Sequence, residues 1–90
     1  MRFKFDAAKN RDVARKHGVG LDEAQRIFDQ VYLVDQKNDN PEQCRAIGWC
    51  DVQLCSVIFE IRFDKIGEYY HLTTAWKATE QEERAYAENI

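Results

Sequence analysis

No apolar run in this 90-residue chain approaches the length of a membrane span. Its opening residues, MRFKFDAAKN, alternate charge with aromatics and lack the apolar core of a signal peptide. Both absences point to a cytoplasmic protein with no membrane partner. Basic charge is not in excess either, since 13 Lys and Arg face 16 Asp and Glu for a net charge of -3. That balance argues against a bulk nucleic-acid binder. The three cysteines, Cys44, Cys50 and Cys55, cannot all pair within one chain, and their spacing matches no zinc motif. With His17 and His71 remote from them in sequence, no metal and no cofactor is expected. Cys55 lies in an apolar alternation and reads as a small core residue.

The chain has enough length for one domain, residues 1–90, with a single small core. Phe3 and Phe5 alternate with Arg2 and Lys4, as in a short strand with one buried face. DAAKNRDVARKHGV then reads as a basic helix, with Asp6 as N-cap and Gly18 as left-handed C-cap. Leu21, Ala24, Ile27 and Phe28 recur at helical spacing and predict a second helix. Val31–Val34 reads as a strand. QKNDNPE, residues 36–42 with the one proline, reads as a loop.

Arg45–Trp49 and Leu54–Phe63 are extended runs joined by a hairpin turn. In the second run Cys55, Val57, Phe59, Ile61 and Phe63 share one face, and Ser56, Glu60 and Arg62 share the other with Leu54 and Ile58. After a turn at Asp64–Gly67, a strand over Glu68–Thr74 sets Tyr70 and Leu72 opposite Tyr69, His71 and Thr73. Thr79 and Glu82 form a capping box that starts a C-terminal helix to about residue 89. The result is an α+β fold: a short N-terminal strand, two N-terminal helices, an antiparallel meander of three to four strands and a C-terminal helix. The helices are expected on one sheet face, leaving the other open for function.

Charge is unevenly distributed. Residues 1–18 hold Arg2, Lys4, Lys9, Arg11, Arg15 and Lys16 against Asp6 and Asp12, a local balance of +4, which leaves -7 for the remainder. The exposed side of the helix carrying Lys9, Arg11, Arg15 and Lys16 suits a polyphosphate; it equally suits a solvated surface or a basic pole for an acidic partner. His17, beside the capping glycine, favours the negative helix end or takes part in chemistry.

Several motifs, in order along nearly the whole chain, resemble the BrnT toxin family of bacterial type II toxin-antitoxin systems. FDAAKNRDVARKHGVGLDEA is similar to the family's N-terminal signature, and Arg45-Ala46-Ile47-Gly48 to its central Arg and Gly segment. VIFEIR resembles the strand that ends in a basic residue. TTAWKATEQEERAY resembles the closing pattern, with Lys77, Ala78, Thr79, Glu82 and Tyr86 in register. The chain departs from the family at Val13, where Asn is usual, at His71 and Trp76, where arginines are common, and at Glu80 and Gln81, which replace a basic cluster.

The resemblance implies a RelE-like ribonuclease toxin that cleaves RNA without metal and is neutralised by a BrnA-like ribbon-helix-helix antitoxin, with DNA engaged only through that antitoxin. Metal-free cleavage needs a base for the 2′-hydroxyl, cations for the phosphorane and an acid for the leaving oxygen. The candidates are Glu60 or His71 as base, Arg62 and Lys77 on the phosphate, and Lys16 or His17 for further charge. Lys9, Arg15, Lys16, Arg45 and Trp76 are the candidate RNA contacts, with Trp76 offering a ring face to a base or to packing. Glu60 with Arg62 also reads as a surface ion pair. The alternative function is a catalytically weakened relative that serves as a protein-binding or regulatory module.

Overall fold

The computed structural model describes residues 1–39 and 42–90. Its centre is one five-stranded sheet in the order β1-β5-β4-β3-β2. The strands are β1 (Arg2–Lys4), β2 (Leu33–Asp39), β3 (Glu42–Cys50), β4 (Gln53–Phe63) and β5 (Glu68–Lys77). β1 pairs with β5 in parallel, whereas the other three pairings are antiparallel. The sheet is therefore mixed, with one strand more than the meander expected from sequence. The added pairing joins residues more than sixty positions apart, which no local pattern reveals.

The basic helix α1 spans Ala7–His17. Asp6 accepts a hydrogen bond from the Lys9 amide at 2.9 Å, and Gly18 ends the helix at φ 76. This left-handed conformation is the one glycine adopts without steric cost. The expected second helix is divided: α2 covers only Leu21–Ala24, and a 3₁₀ segment continues over Gln25–Asp29. Asn10 of α1 caps α2, accepting from the Leu21 amide at 2.6 Å.

These helices cover one face of the sheet. Val13, Val19, Leu21, Ala24 and Ile27 pack against Cys44, Ala46, Val57, Phe59, Leu72 and Ala75. Phe28 stands at the centre of an aromatic cluster with Phe3, Tyr32, Phe59 and Tyr70, at centroid distances of 5.0 to 5.4 Å. All three cysteines are buried thiols, and burial pushes Cys55 up to about 12.

The third helix, α3 (Glu80–Asn89), corrects the expectation that all helices share one face. Its buried Glu82 bonds Arg45 and Trp76 on the opposite face, and Tyr86 donates to the Val31 carbonyl at 3.1 Å. The half of that face beneath it, including Ile47, Ser56 and Ile58, is buried. What stays open is the other half, around Glu60, Arg62, Tyr69 and His71.

Two further strand expectations change. The polar segment assigned to a loop is strand through Asp39 and again from Glu42, because β2 is an edge strand whose side chains are mostly exposed; residues 40 and 41 of that segment lie outside the described residues. β5 continues three residues past Thr74. Its register shifts between the partners of Ile58 and Phe59, so Thr73 is an extra residue. That bulge reverses the alternation: Tyr70 and Leu72 face α1 and so do Ala75 and Lys77, while Trp76 turns toward α3.

Candidate active site

Residues two apart on a strand share a face, and antiparallel pairing sets them beside partners on the next strand. Glu60 lies opposite His71 and Arg62 opposite Tyr69, while β1 brings Lys4 alongside His71. A carboxylate, a guanidinium, an imidazole, a phenol and an ammonium therefore share one open patch of sheet.

Hydrogen bonding differentiates them. Glu60 Oε1 accepts from Arg62 Nε at 3.0 Å and Nη2 at 2.6 Å, and its Oε2 accepts from Gln43 at 3.2 Å. The Arg62 bonds, aided by Gln43, hold the Glu60 carboxyl below its ordinary range. His71 is half-buried. Desolvation, reinforced by the charge of Arg62, lowers its pKa against the opposing pull of Glu60 and Asp6. The imidazole is accordingly neutral near pH 7, the form able to accept a proton.

Cations surround Tyr69. Lys4 Nζ lies 4.2 Å from its ring centre and the Arg2 guanidinium 5.6 Å away. Both cations also bind Asp64, Arg2 through two hydrogen bonds at 2.9 and 2.8 Å and Lys4 at 2.8 Å. These bonds hold the Asp64 carboxyl well below the usual carboxylate range. Where β1 ends and α1 begins, a cleft of 410 Å³ is lined by Asp6, Lys9, Asp12, His71, Leu72 and Thr73. His71 is thus reachable from the sheet edge, and Lys9 is the one α1 cation lining that cleft.

The remaining expected residues do not join this group. Lys77 pairs with Cys55 on the α1 face, and its side chain lies against Gly18: a Cβ there would stand 3.2 Å from Lys77 Cε. With Lys16 and His17 it occupies the C-terminal end of α1, where cations complement the helix dipole. Six residues separate Lys77 from His71, about 20 Å of strand. The open part of the sheet therefore does not lie beside the C-terminal end of α1. Arg15 pairs with Asp12 on the exposed side of α1 at 2.8 Å.

Arg45 and Trp76 lie on the same sheet face as Glu60 and His71, but under α3. Arg45 bonds Asp35 through Nε and Nη2 and Glu82 through Nη1 at 3.3 Å. The Trp76 indole donates to Glu82 Oε1 at 2.9 Å, and Lys37 Nζ stands 5.0 Å from the indole. Lys4, Tyr69, Gln43 and Lys37 were not singled out from sequence. The exposed alternation of Lys4 was visible, but its strand partner was not. Among the described residues no His, Cys, Asp and Glu side chains converge as a metal-binding group.

The fold is similar to a known one. The crystal structure of the Brucella abortus ribonuclease toxin BrnT matches 89% of this chain and 99% of its own, with a TM-score of 0.69. The fold is BrnT-like. Sequence identity over the match is 18%, so the likeness is one of architecture. No family model and no curated protein matches the sequence.

Proposed function

We propose that this chain is an endoribonuclease of the BrnT toxin kind, cleaving RNA without metal at the Glu60, Arg62, Tyr69 and His71 patch. The observation that carries the reading is the placing of an accessible imidazole beside cations on the open face of a BrnT-like fold. His71 is the base. Both oxygens of Glu60 are engaged by Arg62 and Gln43, whereas the His71 imidazole has no hydrogen-bond partner among the described residues.

In the proposed reaction His71 takes the 2′-hydroxyl proton as that oxygen attacks phosphorus, and the bond from phosphorus to the 5′ oxygen breaks. Arg62 and Lys4 stabilise the charge that gathers on the phosphorane. Tyr69, flanked by both cations, donates the proton to the leaving oxygen. The products are a 2′,3′-cyclic phosphate and a 5′-hydroxyl. Glu60 is a positioning residue that orients Arg62. Lys77, Lys16 and His17 have no direct part.

The wider reading places the chain in the cytoplasm, where cleavage of transcripts inhibits translation and growth, and gives it a BrnA-like antitoxin as partner. The test is cleavage of RNA by the purified chain in EDTA, beside His71→Ala and Arg62→Ala. Cyclic-phosphate ends that vanish in both folded variants support the mechanism. Folded wild-type protein that leaves both free RNA and translating ribosomes intact overturns it.

A second reading, a protein-binding module descended from such an enzyme, draws on a specific feature. Arg62 is bound by Glu60, and Arg45 by Asp35 and Glu82, so both cations carry counter-charges in the free chain. In that case His71→Ala leaves antitoxin affinity intact and no cleavage exists to be lost.

A further inference from the structure

Beneath α3 lies a second cleft, of 420 Å³, lined by Lys37, Arg45, Trp76, Thr79, Gln81, Glu82 and Ala85. It opens on the same sheet face as His71, displaced along β5 toward its C-terminal end. The bulge at Thr73 is the reason: it turns Trp76 out of the α1 core and onto this side. Five residues of strand, about 16 Å, separate the two sites. That is on the order of five steps of stacked nucleic acid at ~3.4 Å each, or fewer steps of an extended strand.

The cleft is built around an oriented ring. Trp76 Nε1 is tied to Glu82 Oε1 at 2.9 Å, and the same oxygen accepts the Thr79 amide at 2.9 Å, which ties the indole to the cap of α3. The Lys37 ammonium stands over the ring, 5.0 Å from its centre. Of the five N–H hydrogens of Arg45, three are directed at Asp35 and Glu82, and two find no acceptor among the described residues. The Ser56 hydroxyl below is buried and has no partner in hydrogen-bond geometry among the described residues. The two lining cations are offset by Glu82 in the lining and by Asp35, which holds Arg45 from outside it, so the ring face, not bulk charge, is the main binding feature of the cleft.

We infer that this cleft is a nucleotide subsite, in which one base of a single-stranded RNA stacks on Trp76 in exchange for Lys37, while Lys37 and Arg45 take its phosphate. The inference rests on the ribonuclease reading for its biological sense. It extends that reading by giving the enzyme a grip on its substrate several nucleotides from the scissile bond. Stacking of this kind is tolerant of base identity.

The test uses Trp49→Phe protein, so that emission comes from Trp76, titrated with a non-cleavable 2′-O-methyl hexauridylate. The hexamer is expected to quench the emission, and Lys37→Glu, an exposed change, to weaken binding. With a cleavable hexamer, Trp76→Leu is expected to lower kcat/KM by about fivefold to about a hundredfold, the span of single-base stacking, and to lower it less for a dinucleotide. A slope of log affinity against log salt that falls by about 0.7 in Lys37→Ala marks one phosphate contact. Quenching by the hexamer with no cleavage by wild type supports the subsite and overturns the ribonuclease reading. Cleavage without quenching, and with equal loss on short and long substrates, overturns the subsite alone.

Discussion

Arg62 reaches back along β4 to grip Glu60, two residues before it on the same face, through two hydrogen bonds to a single carboxylate oxygen. The carboxylate thereby holds the guanidinium beside His71, and the two opposite charges act on one imidazole in opposite directions. Their separate removal has effects of opposite sign.

Arg62→Gln is expected to raise the pKa of His71, and Glu60→Gln to lower it further. The imidazole proton resonances followed by NMR across pH 4 to 8 read this directly, with His17→Gln assigning the signals. Equal pKa values in the two variants contradict the placement of these groups.

The rate profile should follow the same group. With neutral His71 as base, kcat/KM rises with pH and levels off at a pKa below the ordinary histidine value of about 6.5. In Arg62→Gln the residual activity is lower and its acid limb moves up. An acid limb that stays in place in this variant assigns proton removal to another residue.

Glu82 joins the α3 cap, Trp76 and Arg45, so its loss leaves several buried partners unmatched at once. Glu82→Ala is expected to cost about 2–4 kcal/mol of stability and Glu82→Gln about 1 kcal/mol. Urea denaturation gives both values.

The same carboxyl sets an acid limit. Burial pushes the Glu82 pKa up, but the Thr79 amide, the Trp76 indole, the nearby Ser56 hydroxyl and Arg45 more than offset this and hold it below its ordinary range. A depressed carboxylate pKa stabilises the fold fully above the unfolded value, about 4.3, and the contribution is lost as pH falls through the lower folded value. Trp76 emission in Trp49→Phe protein is expected to change in that interval, ahead of global unfolding. In Glu82→Gln this early change should be absent.

Gly48 makes a different kind of prediction. A Cβ there would stand 2.9 Å from Ile27 Cγ2 and 3.2 Å from Tyr32 Cβ, because β3 runs directly under the 3₁₀ segment. Gly48→Ala is expected to destabilise the protein by about 1–3 kcal/mol, measured as a lower denaturation midpoint with little change in slope.

What the sequence made legible was local. Asp6, Gly18 and Thr79 mark their helix ends through contacts within four residues, and the two faces of β4 alternate as written. The side of the sheet taken by α3 was not legible, since Glu82 attaches it with polar bonds and no broad apolar stripe is present. Nor was the bulge at Thr73, which has no glycine or proline to announce it. For the site, the faces of Glu60 with Arg62 and of Tyr69 with His71 could be read separately. The side of the sheet on which Lys77 lies was hidden because the strand was expected to end at Thr74, and Lys4 was missed because parallel pairing leaves no turn signal.

The parallel docking of β1 on β5 also imposes an order on synthesis. Arg2, Lys4 and the α1 layer have no surface to rest on until the chain near residue 71 has left the ribosome. The hairpin of β3 and β4 can form before that, from neighbours in sequence. β1 is made well before the strand it rests on and so settles late, and the cationic patch around Tyr69 comes together only once β5 has emerged.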